Sequence, residues 1–504
     1  MWPRWFETGA PAPWRQAPSD ALAALGPVLQ RWSKALANVR DLDPPLDASA
    51  MDDLWRAGLF TLTVPATLGG AELGMRDFCL AMFGVGRLGP AYAMTAVPHL
   101  CISVGAVATL AIEPWRSAVL RGIAKQRQLL VFAISEDRGS DLAAMHTRLA
   151  HSADGALSLH GSKHWITNLD SARYAVVAAR CPSDHPVPGA VSLVLVDLLA
   201  PGVTVRADAW PKRCVNGSAT GDVHFDGVAL ARSQLLGPIG QGMVRFHQLV
   251  LPGRLGAAAA LLGMAQAALD GCAAQLPTAT LDEHTAALDL DLAAVTSCAA
   301  LGEAGDADFA GLCAVVKHGA GLAAQRVIEA LALDLNQRGK LAPPSLARAR
   351  HAAGLLRLLK GPGEVIALQA VAQWLGRAAR PAVLPSLDSA RLRWAMTWLA
   401  RQLALLGSMG GVTQQPVLAA HAIEACVAVH WLWTAQQLGC DGARSRPPQQ
   451  MRLARQLAWR QLRAVRCNTH HASTPDADVL AAQLKSLLQP GAGTDACFTQ
   501  LETS

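Results

Sequence analysis

GSKHWITN, residues Gly161 to Asn168, sets a large aromatic between a basic pair and a small polar triplet. Trp165 is either an ordinary core tryptophan or a flat ring presented to another flat ring, and its surroundings decide between these. Upstream and downstream lie short apolar, β-branched runs: LLVFAIS, ALSLHG, RYAVVAAR, AVSLVLVD and GVTVRADA. Gly, Asp, Pro and Asn separate them, a pattern that predicts an antiparallel β domain over residues 126–237. On either side the texture is helical. Ser49-Ala-Met-Asp52 marks the start of one helix in an N-terminal helical domain over 1–125. RLGAAAALLGMAQAALDGC, with apolar residues at spacings of three and four, belongs to a helical bundle over 238–378. A helical extension over 379–504 follows.

At 504 residues the chain is too long for a single compact core. A hydrophobic content of 51% excludes a disordered chain, and a net charge of +6 at this length does not by itself imply nucleic acid. The 11 cysteines are odd in number and form no CxxC pair, which predicts free thiols in a reducing, cytoplasmic setting. The amino-terminal residues lack the pattern of a signal peptide. The uncharged run Ala91–Ile112 is long enough to span a bilayer, but Pro98 and His99 inside it favour a buried helix. Cys467, His470 and His471 are spaced as metal ligands could be, yet no second half completes a site, so no metal is expected.

The motifs of the β region come in a particular order. Phe132-Ala-Ile-Ser135-Glu136-Asp-Arg-Gly139-Ser140-Asp141 precedes GSKHWITN, and VSLVLVD, Gly217-Ser218-Ala-Thr220-Gly221, VHFDGVAL and LLGPIGQGM follow. This set resembles the acyl-CoA dehydrogenase superfamily, and LWRAGLFTLTVPATLGG is similar to that family's first domain. The resemblance covers about residues 20 to 370 and weakens toward the carboxyl end. It implies an α+β fold: an N-terminal helical domain, a middle antiparallel β domain serving as flavin platform, a C-terminal helical bundle, and here a helical extension. It further implies FAD as cofactor, with Phe132, Ile134, Ser135, Trp165, Ile166 and Thr167 as the cofactor-binding residues, and Ser140 beside the substrate thioester. An indole can stack on an isoalloxazine while hydroxyls bond to its pyrimidine edge, and Trp165 with Ser135 and Thr167 has that chemistry.

In the family's reaction a carboxylate takes the α-proton of an acyl thioester, and burial raises that group's pKa toward the task. Here the sequence departs from the pattern. In ARARHAAGLLRLLKGPGEVIAL, Lys360 stands at the expected base position, or Leu359 after a slip of one residue. His351 replaces an Asp, and Pro362 the flavin-contacting Thr. At the alternative base position, on the first helix after the β domain, stands Gly253. A second register, through Leu406-Gly-Ser-Met-Gly-Gly411, puts Trp431 at the base position. The R-x-x-FG element that reaches the flavin pyrophosphate is missing from QLPTATLDEHTAAL, leaving only Glu283-His284-Thr285, which puts FAD affinity in doubt.

The catalytic residue is therefore unassigned. The reading is a divergent flavin-dependent oxidoreductase acting on an acyl thioester carried by coenzyme A or an acyl carrier protein, in a homo- or hetero-oligomer. The alternatives are a flavin-dependent monooxygenase on the same fold and a base-less or non-catalytic subunit of a hetero-oligomer. Met451 to Cys467 adds a basic amphipathic segment, with Arg452, Arg455, Arg460, Arg463 and Arg466 and no acid. Longer members of the superfamily include membrane-associated and DNA-binding proteins, so a membrane surface or nucleic acid is a further candidate partner for Arg452–Arg466.

Overall fold

The computed structural model describes residues 19–137, 145–151, 156–207, 210, 212, 214–305, 309–358 and 427. Helices α1 (Asp20–Leu36), α2 (Ala48–Arg56) and α3 (Met75–Gly86) open the chain. After them come α4 (Pro90–Val97), a π-helical turn (Pro98–Ser103), α5 (Val104–Leu110) and α6 (Trp115–Gln126). The α2 helix starts earlier than Ser49 because the Asp47 carboxylate caps it, accepting from the Ala50 N–H at 2.8 Å. The apolar stretch Pro90–Leu110 is long and apolar enough to cross a membrane, as are Gly242–Cys272 and Thr278–Glu303. Its most apolar part is 78% buried within the fold, in keeping with the expected buried helix.

Among the described residues seven strands follow: β1 (Leu129–Ala133), β2 (Arg148–His151), β3 (Leu157–Thr167), β4 (Ala172–Arg180), β5 (Val191–Asp197), β6 (Val203–Arg206) and β7 (Thr220–Leu230). They form one sheet in the order β1-β4-β2-β3-β7-β6, with β5 also paired to β4. The sheet is mixed, which corrects the expectation of antiparallel pairing throughout. β1 lies parallel to β4, and β2 meets β4 in parallel at Arg148 and Arg180. The physical reason lies in the runs themselves. LLVFA and YAVVAA are almost continuously apolar, as suits strands covered on both faces. Val176 and Ala178 pack with Val107, Leu120 and Ile123 of the helical layer, whereas Ala175 and Val177 face Leu159, Val194 and Phe225 inside the sheet domain.

Long helices complete the described chain: α7 (Gly242–Cys272), α8 (Thr278–Glu303), α9 (Phe309–Gln337) and α10 (Pro344–Leu358). α3 and α7 approach closely because glycine faces backbone in both directions. A Cβ on Gly263 would lie 1.9 Å from the Phe83 carbonyl oxygen, and one on Gly86 2.0 Å from that of Ala260. Neither backbone can move aside, so Gly263→Ala should destabilise the protein by about 2 kcal/mol through overpacking. Urea unfolding of the variant checks this, with an unchanged midpoint counting against the contact.

A buried histidine ties the helical layer to the sheet. His99, wholly buried in the π-helical turn, accepts at Nδ1 from the Leu130 N–H and contacts the Phe60 carbonyl through Nε2, each at 2.9 Å. Because Nδ1 is an acceptor, Nε2 carries the proton and donates, which defines a neutral tautomer.

Candidate functional site

The 161–168 stretch forms the end of β3, where its pairing with β7 shifts register between Lys163 and Ile166. Trp165 sits in that irregularity with φ +62°, a left-handed conformation that costs a non-glycine residue about 1–2 kcal/mol. The kink re-aims the side chain. Its neighbours Lys163 and Ile166 are 0% and 2% exposed, whereas Trp165 is 48% exposed. Trp165 is thus no core tryptophan. Ile166 is the reverse case: its side chain lies in the sheet's interior cluster, so only its main chain is left to meet a ligand.

The second motif is fastened beside the first. The His164 N–H donates to the Ser135 carbonyl at 2.9 Å. The Lys163 ammonium donates to the Ile134 carbonyl at 3.1 Å and to Glu136 Oε1 at 2.9 Å. Glu136 also accepts from the N–H groups of His146 (2.7 Å) and Thr147 (3.0 Å). Burial opposes ionisation of Glu136, but the donors of His146 and Thr147 and the Lys163 ammonium outweigh it and hold the carboxyl at about 2. Burial pulls Lys163 down to about 8 against the pull of Glu136. These two charges therefore pair and stitch the Ser135 segment to the strand that carries Trp165. Glu136, Asp137 and His146 also gather ligand-type atoms within 4.8 Å of one another, but Glu136 is already committed to the ammonium.

The remaining expected residues fall around this seam. Thr167 pairs across the ladder with Thr220 and is half-buried. The buried Asn168 closes the strand, donating its side-chain amide to the Thr95 carbonyl at 2.9 Å and so fixing the platform to the helices. Phe132 and Ile134 are half-buried, and Phe132 stacks on Phe246 of α7 with ring centroids 5.6 Å apart and planes at 19°. Trp165 is likewise stacked, on Trp210 at 4.1 Å and 27°. The Trp210 indole N–H donates to Asp222 at 2.6 Å, and His164 Nδ1 lies 3.1 Å from the same carboxylate oxygen.

Gly253 is buried in α7 and brings no side chain to the position where an acid would stand. His351 is exposed on α10, and His284 on α8 lies 3.9 Å from Asp334 of α9. Ser140, Leu359, Lys360, Pro362, Trp431, Cys467, His470, His471 and the Arg452–Arg466 segment lie outside the described residues. Lys163 and Glu136 stood inside the quoted motifs with no role assigned. Opposite charges, Glu136 just after the apolar run of β1 and Lys163 within β3, were the signal that would have paired them. Trp210, Asp222 and Phe246 carried no such signal.

A helical layer, a mixed sheet with an exposed ring at the end of β3, and a helical bundle together make up the acyl-CoA dehydrogenase architecture. Residues 27–127 match the family described as acyl-CoA dehydrogenase, N-terminal domain, and residues 131–228 match acyl-CoA dehydrogenase, middle domain. These matches over residues 27–127 and 131–228 support membership of the acyl-CoA dehydrogenase superfamily. It is 32% identical over 214 residues to the human mitochondrial short-chain specific acyl-CoA dehydrogenase, covering 42% of this chain and 51% of that protein. It is 30% identical over 224 residues to the Macaca fascicularis very long-chain specific enzyme, covering 43% and 34%. The matched part thus spans only about a third to a half of these relatives. Among solved structures, a Bacillus anthracis acyl-CoA dehydrogenase complexed with FAD superposes with TM-score 0.73 at 17% identity, covering 93% of this chain and 89% of that one. Butyryl-CoA dehydrogenase from Megasphaera elsdenii gives 0.63 at 21%, covering 71% and 99%.

Proposed function

We propose that this chain is a flavin-dependent oxidoreductase that binds FAD against Trp165 and acts on an acyl thioester of coenzyme A or a carrier protein. The observation that carries the reading is the exposed Trp165 ring, turned outward by the β3 irregularity and fastened beside Ser135. The residues present fit the cofactor's ring: an open indole face, half-buried Ser135 and Thr167 for its pyrimidine edge, and the Ile166 main chain between. Phe132 and Ile134 would line the inner side. Bound FAD would supply an acceptor for the two electrons leaving the acyl chain. The chain's own residues would orient it and keep water from the seam.

The pyrophosphate end fits less well, because the Arg of the R-x-x-FG element is absent. FAD should therefore bind with lowered affinity and be partly lost on desalting, then restored when FAD is added. We place the protein in the cytoplasm as a homo- or hetero-oligomer, and the free cysteines at 79, 101, 181, 214, 272, 298 and 313 suit that setting.

The buried Gly253 favours a second reading, in which this chain does not itself remove the α-proton. A flavin-dependent monooxygenase or a base-less subunit of a hetero-oligomer meets that condition. Visible spectra of the FAD-supplemented protein, recorded without oxygen before and after adding acyl-CoA thioesters of graded length, decide between them. Bleaching of the flavin bands with an enoyl product supports the first reading. Stable flavin bands with every thioester favour the second, and failure to acquire any flavin bands overturns both flavin-dependent readings and leaves the non-catalytic subunit.

A further inference from the structure

We infer that Trp210 is a positioning residue for the flavin platform, covering one face of the Trp165 indole so that a planar cofactor has a single face to stack on. This rests on the proposal that FAD binds at Trp165. The two rings are stacked at 4.1 Å with planes 27° apart, yet Trp165 keeps 48% of its surface open. One face is thus occupied by protein and the rest stays available. A tryptophan on a left-handed, irregular strand end would otherwise turn about its side-chain bonds, and the stack removes that freedom before a ligand arrives.

Trp210 is itself held at several points. Its indole N–H donates to Asp222 at 2.6 Å, and the same oxygen is 3.1 Å from His164 Nδ1, on the residue next to Trp165. Its backbone N–H donates to the Thr220 carbonyl at 3.2 Å, and Thr220 pairs across the ladder with Thr167. Trp210 is therefore tied to β7, beside the strand that bears the proposed flavin-contacting Thr167, and stacked on Trp165 of that strand. Lys212 supports the same connection, donating to Thr220 Oγ1 at 2.7 Å and to the Ser218 carbonyl.

The test compares Trp210→Phe with Trp210→Leu in the full chain. Phenylalanine keeps a flat partner for Trp165, whereas leucine keeps apolar bulk without one. The far-ultraviolet circular dichroism of stacked indoles reports the pair in the absence of flavin, and quenching of flavin fluorescence on titration reports FAD affinity. Wild type should show the exciton couplet, and both variants should lose it. Trp210→Leu should then bind FAD about tenfold more weakly, as loss of an aromatic stack predicts, with Trp210→Phe within about threefold of wild type. Equal affinity in wild type and Trp210→Leu overturns the inference. So does equal weakening by Leu and Phe, the result expected if Trp210 served only as filler, or a wild type without the couplet. A wild type that shows the couplet but takes up no FAD overturns the flavin proposal itself and removes this role with it.

Discussion

Replacing Lys163 with methionine is expected to destabilise the protein by about 3–5 kcal/mol, the cost of leaving a buried carboxylate without its cation. Glu136 is 7% exposed and Lys163 is 0% exposed, so water cannot take over the lost interaction. The Ile134 carbonyl would lose its donor as well. Methionine keeps the apolar stem of lysine out to Cε and lacks only the ammonium, so the effect reports the charge and its hydrogen bonds. The double variant Lys163→Met/Glu136→Gln should recover part of the loss, because the orphaned charge is then gone. Urea unfolding of the two single variants and the double completes the cycle. Additive losses would show that the pair is not coupled.

A second large effect follows from His99. Burial, only partly offset by its contacts with Phe60 and Leu130, pulls its pKa down to about 4. The unfolded chain therefore takes up a proton that the folded protein refuses. The contribution is complete above about pH 6.5, declines as pH falls, and is fully lost below about pH 4. This removes about 3 kcal/mol across that window. The stability of His99→Gln should lack this component and fall less steeply between pH 7 and pH 4. An identical slope in wild type and variant would show that the ring does not stay neutral.

His99 also explains why domain contacts were hard to see in advance. Its position within an uncharged run was legible, and most of that run is buried within the fold. Its partners, the Phe60 carbonyl and the Leu130 N–H, are main-chain atoms and leave no trace in residue identity. The same division runs through the candidate site. The order of motifs from Phe132 to Gly221 was enough to indicate the family. It could not distinguish Trp165, which points out, from Ile166, which points in. That choice depends on the register shift between Lys163 and Ile166 and on the left-handed turn at Trp165. Parallel pairing of β1 with β4 was likewise hidden. Apolar runs show that a strand is covered on both faces, and they are silent about which strand lies beside it.

By itself the amino-acid sequence determined the class of fold and the succession of helices, strands and helices. Local chemistry writes these directly: turn residues, hydrophobic period, and motif spacing along one chain. Only the tertiary structure decided which charges pair, which aromatic rings stack and which tryptophan face stays open. Lys163 with Glu136, Phe132 with Phe246 and Trp165 with Trp210 each join residues distant in sequence. Such contacts arise from sheet register and helix docking, which depend on the whole packed chain at once.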